Sequence, residues 1–277
     1  ETPNIAIVST TTLGRAEIIK KFIKIGIPKI FSEKPLCSSM LEINQINTLL
    51  KNYKTDLAVN HHMRYLPQYT RIKELVNEPR FGGLLAMHVV GGNFGLAMNG
   101  SHYIEAFRYL TDDYSESVTA FLDSEKEFSP RGEIFKDAAG LINVISSKKY
   151  LLTINCSNKN YYGMNATYVC KYGIINVDEL SGHLYGTYRK EEFKDFPSYR
   201  YGMPAEKILE TITAVEVETP TTLLLEDLLS NKNYPKAKEA FNAIKTIIAS
   251  YHSSRRKGKS IKLSDINKNN KEIFKWA

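Results

Sequence analysis

The chain has 277 residues, enough for two domains with hydrophobic cores of their own. Hydrophobic residues make up 43% and charged residues 24% of the sequence, values that exclude an extensively disordered protein. The net charge of +7 would suit an anionic ligand. The basic residues are nevertheless scattered, apart from one cluster within residues 255–259, so we do not predict a nucleic-acid-binding protein.

The cysteines and the apolar segments bear on the cellular compartment. Cys37, Cys156 and Cys170 are odd in number and lack the spacing of a metal site, which predicts reduced thiols. No apolar run approaches the ~18 residues of a membrane span, and the first residues do not resemble a signal segment. We therefore expect a cytoplasmic protein that does not bind membranes.

The first sixty residues alternate between strand and helix. Short apolar runs predict strands at Ile5–Val8, Lys29–Ser32 and 56–60, with helical spacing after the first two. This alternation favours parallel strands, so residues 1–62 are predicted to form the C-terminal half of a doubly wound Rossmann domain. The first strand already has the character of one in mid-domain, and no G-x-G-x-x-G turn occurs. We expect the sequence to begin late, with about 60 residues of that domain absent.

A charged turn, Glu33-Lys34-Pro35, follows the second predicted strand. Ligands of open parallel sheets bind beyond the carboxyl ends of the strands, so Lys34 is the first candidate site residue. Pro35 should keep Lys34 in an extended conformation. Ser39 and Glu42 then form a capping box that begins the next helix. For an isolated Lys-Pro turn, the alternative is a solvated surface lysine.

The pattern changes after a helix that begins at Pro67. Strands with short turns are predicted at 84–91, 117–122, 141–146, 150–156, 165–171, 174–177 and 184–189. A helix near 101–110 interrupts them, and helices are predicted at 205–215, 221–229 and 236–251. Residues 63–277 are therefore predicted to form an α+β substrate-binding and oligomerisation domain. Its mostly antiparallel open sheet would carry helices on one face, which makes the whole chain α/β plus α+β.

Two further groups of polar residues could form a site. His102 is predicted in the first turn of its helix, where the helix dipole would keep the imidazole neutral and able to accept a proton. A histidine that only caps or packs is the alternative. Asn60, His61, His62 and Arg64 follow the third strand. Neighbouring histidines on an extended chain point in opposite directions, and no carboxylate or cysteine lies near them, so we predict no metal site.

Four segments occur in a fixed order along the chain. T-T-T follows the first strand, E-K-P-L the second and N-H-H-M-R-Y-L-P the third, and N-G-S-H-Y-I-E-A-F-R-Y-L covers the later helix. Together they resemble the glucose-fructose oxidoreductase, inositol dehydrogenase and MocA family (Gfo/Idh/MocA) over nearly the whole chain. The resemblance implies an oxidoreductase that uses NAD or NADP. Its substrate would be the hydroxyl-bearing carbon of a sugar, a sugar nucleotide or a cyclitol.

The resemblance also implies roles for individual residues. Lys34 would lie beside the nicotinamide and the reacting hydroxyl and would share catalysis with His102. The implied cofactor-binding residues are Thr10, Thr11, Glu33, Lys34, Pro35 and Asn60. The implied substrate-binding residues are Arg64, Asn99 and His102. The family's antiparallel sheet further implies a homo-oligomer that assembles through that sheet.

The sequence departs from the common family pattern at several positions. An aspartate usually stands four residues before the histidine, where this chain has Met98. The adjacent Asn99 can hydrogen-bond a sugar hydroxyl but cannot act as a base. Glu105 replaces an aspartate, and Arg15 stands where many members have histidine. These changes leave the proton path open.

Two alternatives to an enzyme remain open. The first is a ligand-sensing or regulatory relative that keeps the fold without the chemistry, as Met98 permits. The second is a naturally short form that acts as an assembly subunit. The sequence does not decide between NAD and NADP, nor does it identify the substrate.

Overall fold

The computed structural model describes residues 2–92, 94–123, 132–157, 159–160, 163–198 and 200–276. Its first unit is a parallel sheet of β1 (Ile5–Val8), β2 (Lys29–Ser32) and β3 (Asp56–Val59), in that order. The registers pair the last residues of all three strands, Val8 with Ser32 and Ser32 with Val59. The carboxyl ends therefore meet at one edge, and the predicted Rossmann-type parallel sheet is confirmed.

Helices cover both faces of this small sheet. Helix α1 (Arg15–Lys24) and helix α2 (Met40–Asn52) follow β1 and β2 and pack against one face. The opposite face carries Phe31 and Ala58, which pack against Leu224 and Leu228. These leucines belong to helix α5 (Thr219–Leu229), which the sequence analysis assigned to the second domain. A helix from late in the chain thus completes the layering of the first sheet.

The capping box predicted at the start of α2 forms with a shift of one residue. The Ser39 hydroxyl oxygen accepts a hydrogen bond from the backbone N–H of Glu42 at 3.2 Å. The Glu42 carboxylate accepts from the backbone N–H of Ser38 at 2.7 Å, and not from that of Ser39. Both interactions satisfy N–H groups at the start of the helix.

The second unit is a large mixed sheet. Its strands are β4 (Leu84–Gly91), β5 (Ser115–Leu122), β6 (Gly140–Ser146), β7 (Leu151–Asn155), β8 (Met164–Cys170), β9 (Gly173–Asp178), β10 (His183–Arg189), β11 (Ala205–Thr211) and β12 (Ile261–Lys262). Their order is β11-β10-β9-β8-β4-β7-β6-β5-β12, with β4 and β7 parallel and the other pairs antiparallel. The mostly antiparallel sheet is as predicted.

One predicted helix is wrong. Residues 205–211 of the predicted helix 205–215 form the edge strand β11, which pairs with β10 from Ala205 opposite Arg189 to Thr211 opposite His183. The exposed edge of β10 supplies backbone partners that the local apolar spacing does not reveal, so tertiary pairing overrides the helical pattern. Leu209 consequently points to solvent with 79% of its surface exposed.

Helices lie on one side of the large sheet. Helix α3 (Pro67–Asn77), helix α4 (Ser101–Thr111) and helix α6 (Ala237–Arg255) contribute the buried aliphatic and aromatic residues of that side. The other side alternates with it along each strand and exposes Leu85, Ile145 and Leu151. None of the described helices is long and apolar enough to cross a bilayer.

The last described residues tie the two units together. Trp276 is fully buried, and its indole N–H donates to the Cys37 carbonyl at 3.3 Å. Phe274 stacks on it with ring centroids 5.1 Å apart, and the Phe274 backbone N–H donates to the Ser38 carbonyl at 2.9 Å. This segment also pairs with the approach to β6, since the Lys136 N–H donates to the Lys275 carbonyl at 2.6 Å.

Candidate functional site

Three loops follow the carboxyl ends of the small parallel sheet, and a buried arginine joins two of them. Arg15 has no exposed surface and donates to the backbone carbonyls of Thr10, Glu33 and Pro35. The carbonyl of Thr10 belongs to the loop after β1, and the other two belong to the loop after β2. Arg15 therefore fixes the path of both loops, a role that the sequence analysis did not assign to it.

Among the proposed cofactor-binding residues, Thr10 and Thr11 are exposed beyond β1. Asn60, at the end of β3, is buried and donates through its side-chain amide to the Glu33 carboxylate at 2.7 Å. Its amide also lies 3.3 Å from the Thr221 hydroxyl of α5. The structure thus brings the six predicted cofactor-binding residues to one edge of the sheet, where their role in cofactor binding stays a prediction.

Lys34 reaches from this edge to the second unit. The Lys34–Pro35 peptide bond is cis, and the Lys34 ammonium donates a hydrogen bond to the carbonyl of Met98. Met98 belongs to a π-helical turn, Gly95–Gly100, that runs directly into α4. The candidate lysine is therefore held against the segment that carries the candidate histidine.

His102 is buried beside two other imidazoles, with 4% of its surface exposed. Its ring centroid lies 4.8 Å from that of His62 and 5.5 Å from that of His61, with edge-on geometry in both contacts. Burial, the positive charge of Lys34 and the neighbouring histidines hold the pKa of His102 well below its usual range. Burial and Lys34 lower the pKa of His61 to about 3. Both imidazoles are therefore neutral at neutral pH.

The physical cause of this neutrality differs from the predicted one. His102 was expected in the first turn, at the positive end of the helix dipole. The π-helical turn precedes α4 without a break, since Gly100 and Ser101 both have right-handed helical backbone angles. This places His102 beyond the first turn of the combined helix. Burial and the Lys34 charge, not the helix terminus, keep the imidazole neutral.

Backbone N–H groups in the first turn of the combined helix donate to a carboxylate from a distant segment. Asp137 accepts from the backbone N–H of Ala97 at 2.8 Å and from that of Met98 at 2.7 Å. Gly95 permits the approach, with φ of +69° and no side chain, since a Cβ there would lie 2.5 Å from an Asp137 carboxylate oxygen. Nothing in the local sequence pattern points to this contact, which crosses about forty residues of chain.

The two remaining substrate candidates occupy different settings. Asn99 is half-buried in the π-helical turn, and its side chain makes no hydrogen bond within the described part of the chain. Arg64 is 5% exposed and donates to the Asn233 carbonyl at 3.1 Å. Its guanidinium also lies 3.8 Å from the buried Glu105 carboxylate, which Arg108 contacts at 3.0 Å. The guanidinium therefore fastens α4 to its surroundings, and ligand binding by Arg64 stays a prediction.

A second buried carboxylate, also missed from sequence, anchors the same helix. Glu179, between β9 and β10, accepts from the hydroxyl of Tyr69 at 2.7 Å and from that of Tyr103 at 2.5 Å. Burial raises the pKa of Glu179. Because Tyr103 follows His102 in α4, this contact fixes the rotation of the helix that presents the imidazole.

The three imidazoles share their surroundings with a positive charge. Within the described ranges, no three histidine, cysteine, aspartate or glutamate side chains are placed to hold a metal ion. The three imidazoles meet edge to face, close to the Lys34 ammonium, and a nearby positive charge disfavours a cation. The chemistry that these groups can perform is proton transfer and hydrogen bonding to a substrate oxygen.

Solved structures show the same fold. A putative NADPH-dependent oxidoreductase from Desulfitobacterium hafniense is 12% identical, with a TM-score of 0.75 over 95% of this chain and 80% of that chain. An oxidoreductase from Agrobacterium radiobacter, in complex with NAD+, L-tartaric acid and magnesium, is 10% identical, with a TM-score of 0.75 over 94% and 80%. The transcriptional regulator Gal80p from Kluyveromyces lactis is 13% identical, with a TM-score of 0.75 over 95% and 75%.

These likenesses are structural. No protein-family model matches the sequence, and no curated protein matches it. At identities of 10 to 13% the comparison establishes architecture and leaves activity to be argued from the residues. The small parallel sheet, the large open sheet and their helices together give this chain the fold of these solved oxidoreductases and of Gal80p.

Proposed function

We propose that this protein is an NAD(P)-dependent oxidoreductase that transfers hydride to or from a hydroxyl-bearing carbon. One observation carries the proposal: Lys34, from the small sheet, is hydrogen-bonded to the turn that leads into His102, and its charge acts on the His102 imidazole. An ammonium and a neutral imidazole that converge from two units can hold one substrate oxygen between them.

The residues present fit the nicotinamide end of such a cofactor. The Nδ1 atoms of His61, His62 and His102 are buried and have no hydrogen-bond partner among the described residues, so the cluster has polar capacity for a ligand. Thr10 and Thr11 would line the cofactor at the exposed loop after β1. Glu33, Lys34, Pro35 and Asn60 would complete its surface at the neighbouring strand ends.

The bound nicotinamide would supply the hydride acceptor or donor, and the chain's own groups would manage the oxygen and its proton. The Lys34 ammonium, with the Met98 carbonyl as one of its partners, would donate a hydrogen bond to the substrate oxygen and stabilise negative charge there. His102, neutral at working pH, would accept the hydroxyl proton. With a pKa well below the usual range it is a weak base, so the charge of Lys34 beside the oxygen is needed to make that proton acidic.

We propose a sugar, a sugar nucleotide or a cyclitol as the substrate, as the resemblance of the four segments implies. The half-buried Asn99 amide, without a side-chain partner in the described ranges, supplies both a donor and an acceptor for hydroxyl groups. The Agrobacterium radiobacter structure contains L-tartaric acid, a molecule that also carries hydroxyl groups.

The test is a hydride-transfer assay of this chain with NAD and NADP against a panel of sugars, sugar nucleotides and cyclitols. Lys34→Ala should lower kcat at least ~100-fold, the effect of removing a donor to a developing oxyanion. Lys148→Ala, at an exposed lysine on the β6–β7 turn, is the matched control and should keep full turnover. Full turnover by Lys34→Ala would show that the roles are assigned wrongly.

A second candidate is a regulatory protein that binds a dinucleotide without chemistry. Two observations favour it: position 98 is methionine where the resembled family has aspartate, and the fold is shared with the regulator Gal80p. Binding of NAD or NADP in calorimetry, with no hydride transfer to any member of the panel, would favour this function over the enzyme.

We also propose that the open face of the large sheet pairs with a second copy of the chain. That face exposes Leu85 at 49%, Leu151 at 46% and Ile145 at 38% of their surfaces. Leu151→Glu should shift the sedimentation coefficient from that of an oligomer to that of a monomer, because a charge in an apolar interface is costly. A parent chain that sediments as a monomer would contradict this assembly.

The buried thiols of Cys37, Cys156 and Cys170 support a reducing compartment, and we propose the cytoplasm.

A further inference from the structure

The turn that receives Lys34 is shaped by a residue that no sequence pattern identifies. The resembled family has an aspartate four residues before the histidine, and this chain has Met98, whose side chain carries no charge. The Asp137 carboxylate nevertheless lies on the backbone of the same position, 2.7 Å from the Met98 nitrogen. A carboxylate therefore stands beside position 98 although it comes from another segment.

Several hydrogen bonds hold the Gly95–Gly100 turn and the segment around Asp137 together. Asp137 bonds two consecutive N–H groups, of Ala97 and Met98, and the Leu96 N–H donates to the Ala138 carbonyl at 2.8 Å. The Ala138 N–H in turn contacts the Tyr251 hydroxyl of α6 at 3.0 Å. Since neither the turn nor the Asp137 segment can move alone, the distance between them is fixed.

One residue, Met98, links the carboxylate to the lysine. The Met98 N–H donates a hydrogen bond to the Asp137 carboxylate, and the Met98 carbonyl accepts one from the Lys34 ammonium. We infer that Asp137 is a positioning residue: by fixing the Gly95–Gly100 turn it holds the Met98 carbonyl where it orients the Lys34 ammonium towards His102. This rests on the proposed function only for the claim that the orientation serves hydride transfer.

The hydrogen bond to the Met98 carbonyl limits the orientations of the Lys34 ammonium. A lysine side chain has a flexible stem, and tethering its ammonium to one fixed carbonyl restricts the directions of its other two N–H donors. A carboxylate at the start of the combined helix also satisfies N–H groups that would otherwise lack partners. An uncharged residue at position 137 would lose part of this restraint, and one without an oxygen would lose all of it.

The first test measures Lys34 directly, without cofactor. The full chain is acetylated with isotope-labelled acetic anhydride, and the rate at each lysine is followed by mass spectrometry, with the exposed Lys148 as internal reference. In Asp137→Ala, Lys34 should react about ten-fold faster relative to Lys148, because the loss of the tether frees an amine that was held by a charge-assisted hydrogen bond. Asp137→Asn, which keeps one acceptor oxygen, should show a smaller increase.

Gly95→Ala reaches the same contact without changing any charge. An added Cβ would lie 2.5 Å from the Asp137 carboxylate, so this variant should reproduce the Lys34 acceleration of Asp137→Ala. Asp195→Asn, at an exposed aspartate, is the matched control and should leave every lysine rate unchanged. An unchanged Lys34 rate in both Asp137→Ala and Gly95→Ala, or a general rise at all lysines, would overturn the positioning role.

Activity then separates this inference from the proposed function. If the chain transfers hydride, Asp137→Asn should lower kcat several-fold while the KM for the cofactor stays within about two-fold, since Asp137 bonds the Gly95–Gly100 turn, whereas the predicted cofactor-binding residues lie at the edge of the small sheet. A selective Lys34 acceleration in a chain with no hydride transfer would support the positioning role and contradict the enzyme. A fall in kcat without any change at Lys34 would support the enzyme and contradict the positioning role.

Discussion

The two halves of the candidate site are built in different ways. The Lys34 half is built from consecutive elements, although distant residues also contact it: a strand, a short charged turn and a capped helix follow each other within residues 29–52, and the sequence carries the signal for each. The His102 half is not local, because Asp137, Arg64 and Glu179 reach α4 from distant segments. A motif can therefore identify a residue correctly while the groups that determine its behaviour come from distant segments. Four experiments test this difference between the two halves.

The largest expected effect is on the stability of the His102 half. Glu105→Gln would remove the carboxylate that the buried Arg64 and the half-buried Arg108 both contact, and removing one member of a buried ion pair costs about 3 to 5 kcal/mol of the free energy of unfolding. Denaturant titration measures it. Glu116→Gln, at an exposed pair with Lys149, is the control and should leave the midpoint unchanged. Equal midpoints for both variants would mean that this cluster does not anchor α4.

The next effect is on catalysis. His102→Gln keeps a polar side chain of similar length but removes the group proposed to accept the proton, so kcat should fall by about two orders of magnitude. The measurement is the steady-state rate with the best substrate of the panel. Tyr185→Phe, on the open sheet face, serves as the control because that residue lies far from the site in the strand order. A His102→Gln variant with parent kcat would reduce His102 to a packing residue.

The third effect is on pH dependence. Burial lowers the pKa of His61 from 6.5 to about 3, so below pH 6.5 the unfolded chain binds a proton that the folded chain does not. The free energy of unfolding should therefore rise with pH between about 4 and 6.5, by up to ~1.4 kcal/mol per pH unit from this residue. His61→Gln should flatten the slope measured between pH 5 and 6.5, and the two curves should run parallel above pH 8. Identical slopes would contradict the burial of His61.

The smallest effect belongs to the local half. Ser39→Ala removes the side-chain oxygen that accepts from the Glu42 N–H, and the loss of such a cap costs about 1 kcal/mol. Thermal unfolding should detect a modest shift. Thr48→Ala, in the middle of the same helix, changes a hydroxyl that bonds only its own turn and should have less effect. A Ser39→Ala loss as large as that of Glu105→Gln would show that the local half is not held locally.

The same contrast explains what could be predicted from the sequence. The strands of the small parallel sheet and the Lys34 turn follow from apolar runs and short-range signals, which act between neighbours. The helix predicted at 205–215 was wrong because residues 205–211 pair with the free edge of β10 and form β11. A local sequence pattern does not show which strand edges are free to pair. The prediction that a helix terminus keeps His102 neutral was wrong for a related reason, because burial by distant residues lowers the pKa of the imidazole instead.

The chain has a single tryptophan, Trp276, and it is buried against Cys37, two residues beyond Pro35. Its emission spectrum therefore reports the solvent exposure of one place, the junction beside the Lys34 turn, with no background from other indoles. A red shift of that emission during denaturation would record when the last residues leave the first sheet, and its coincidence with the loss of helical circular dichroism would show whether both units unfold in one cooperative step.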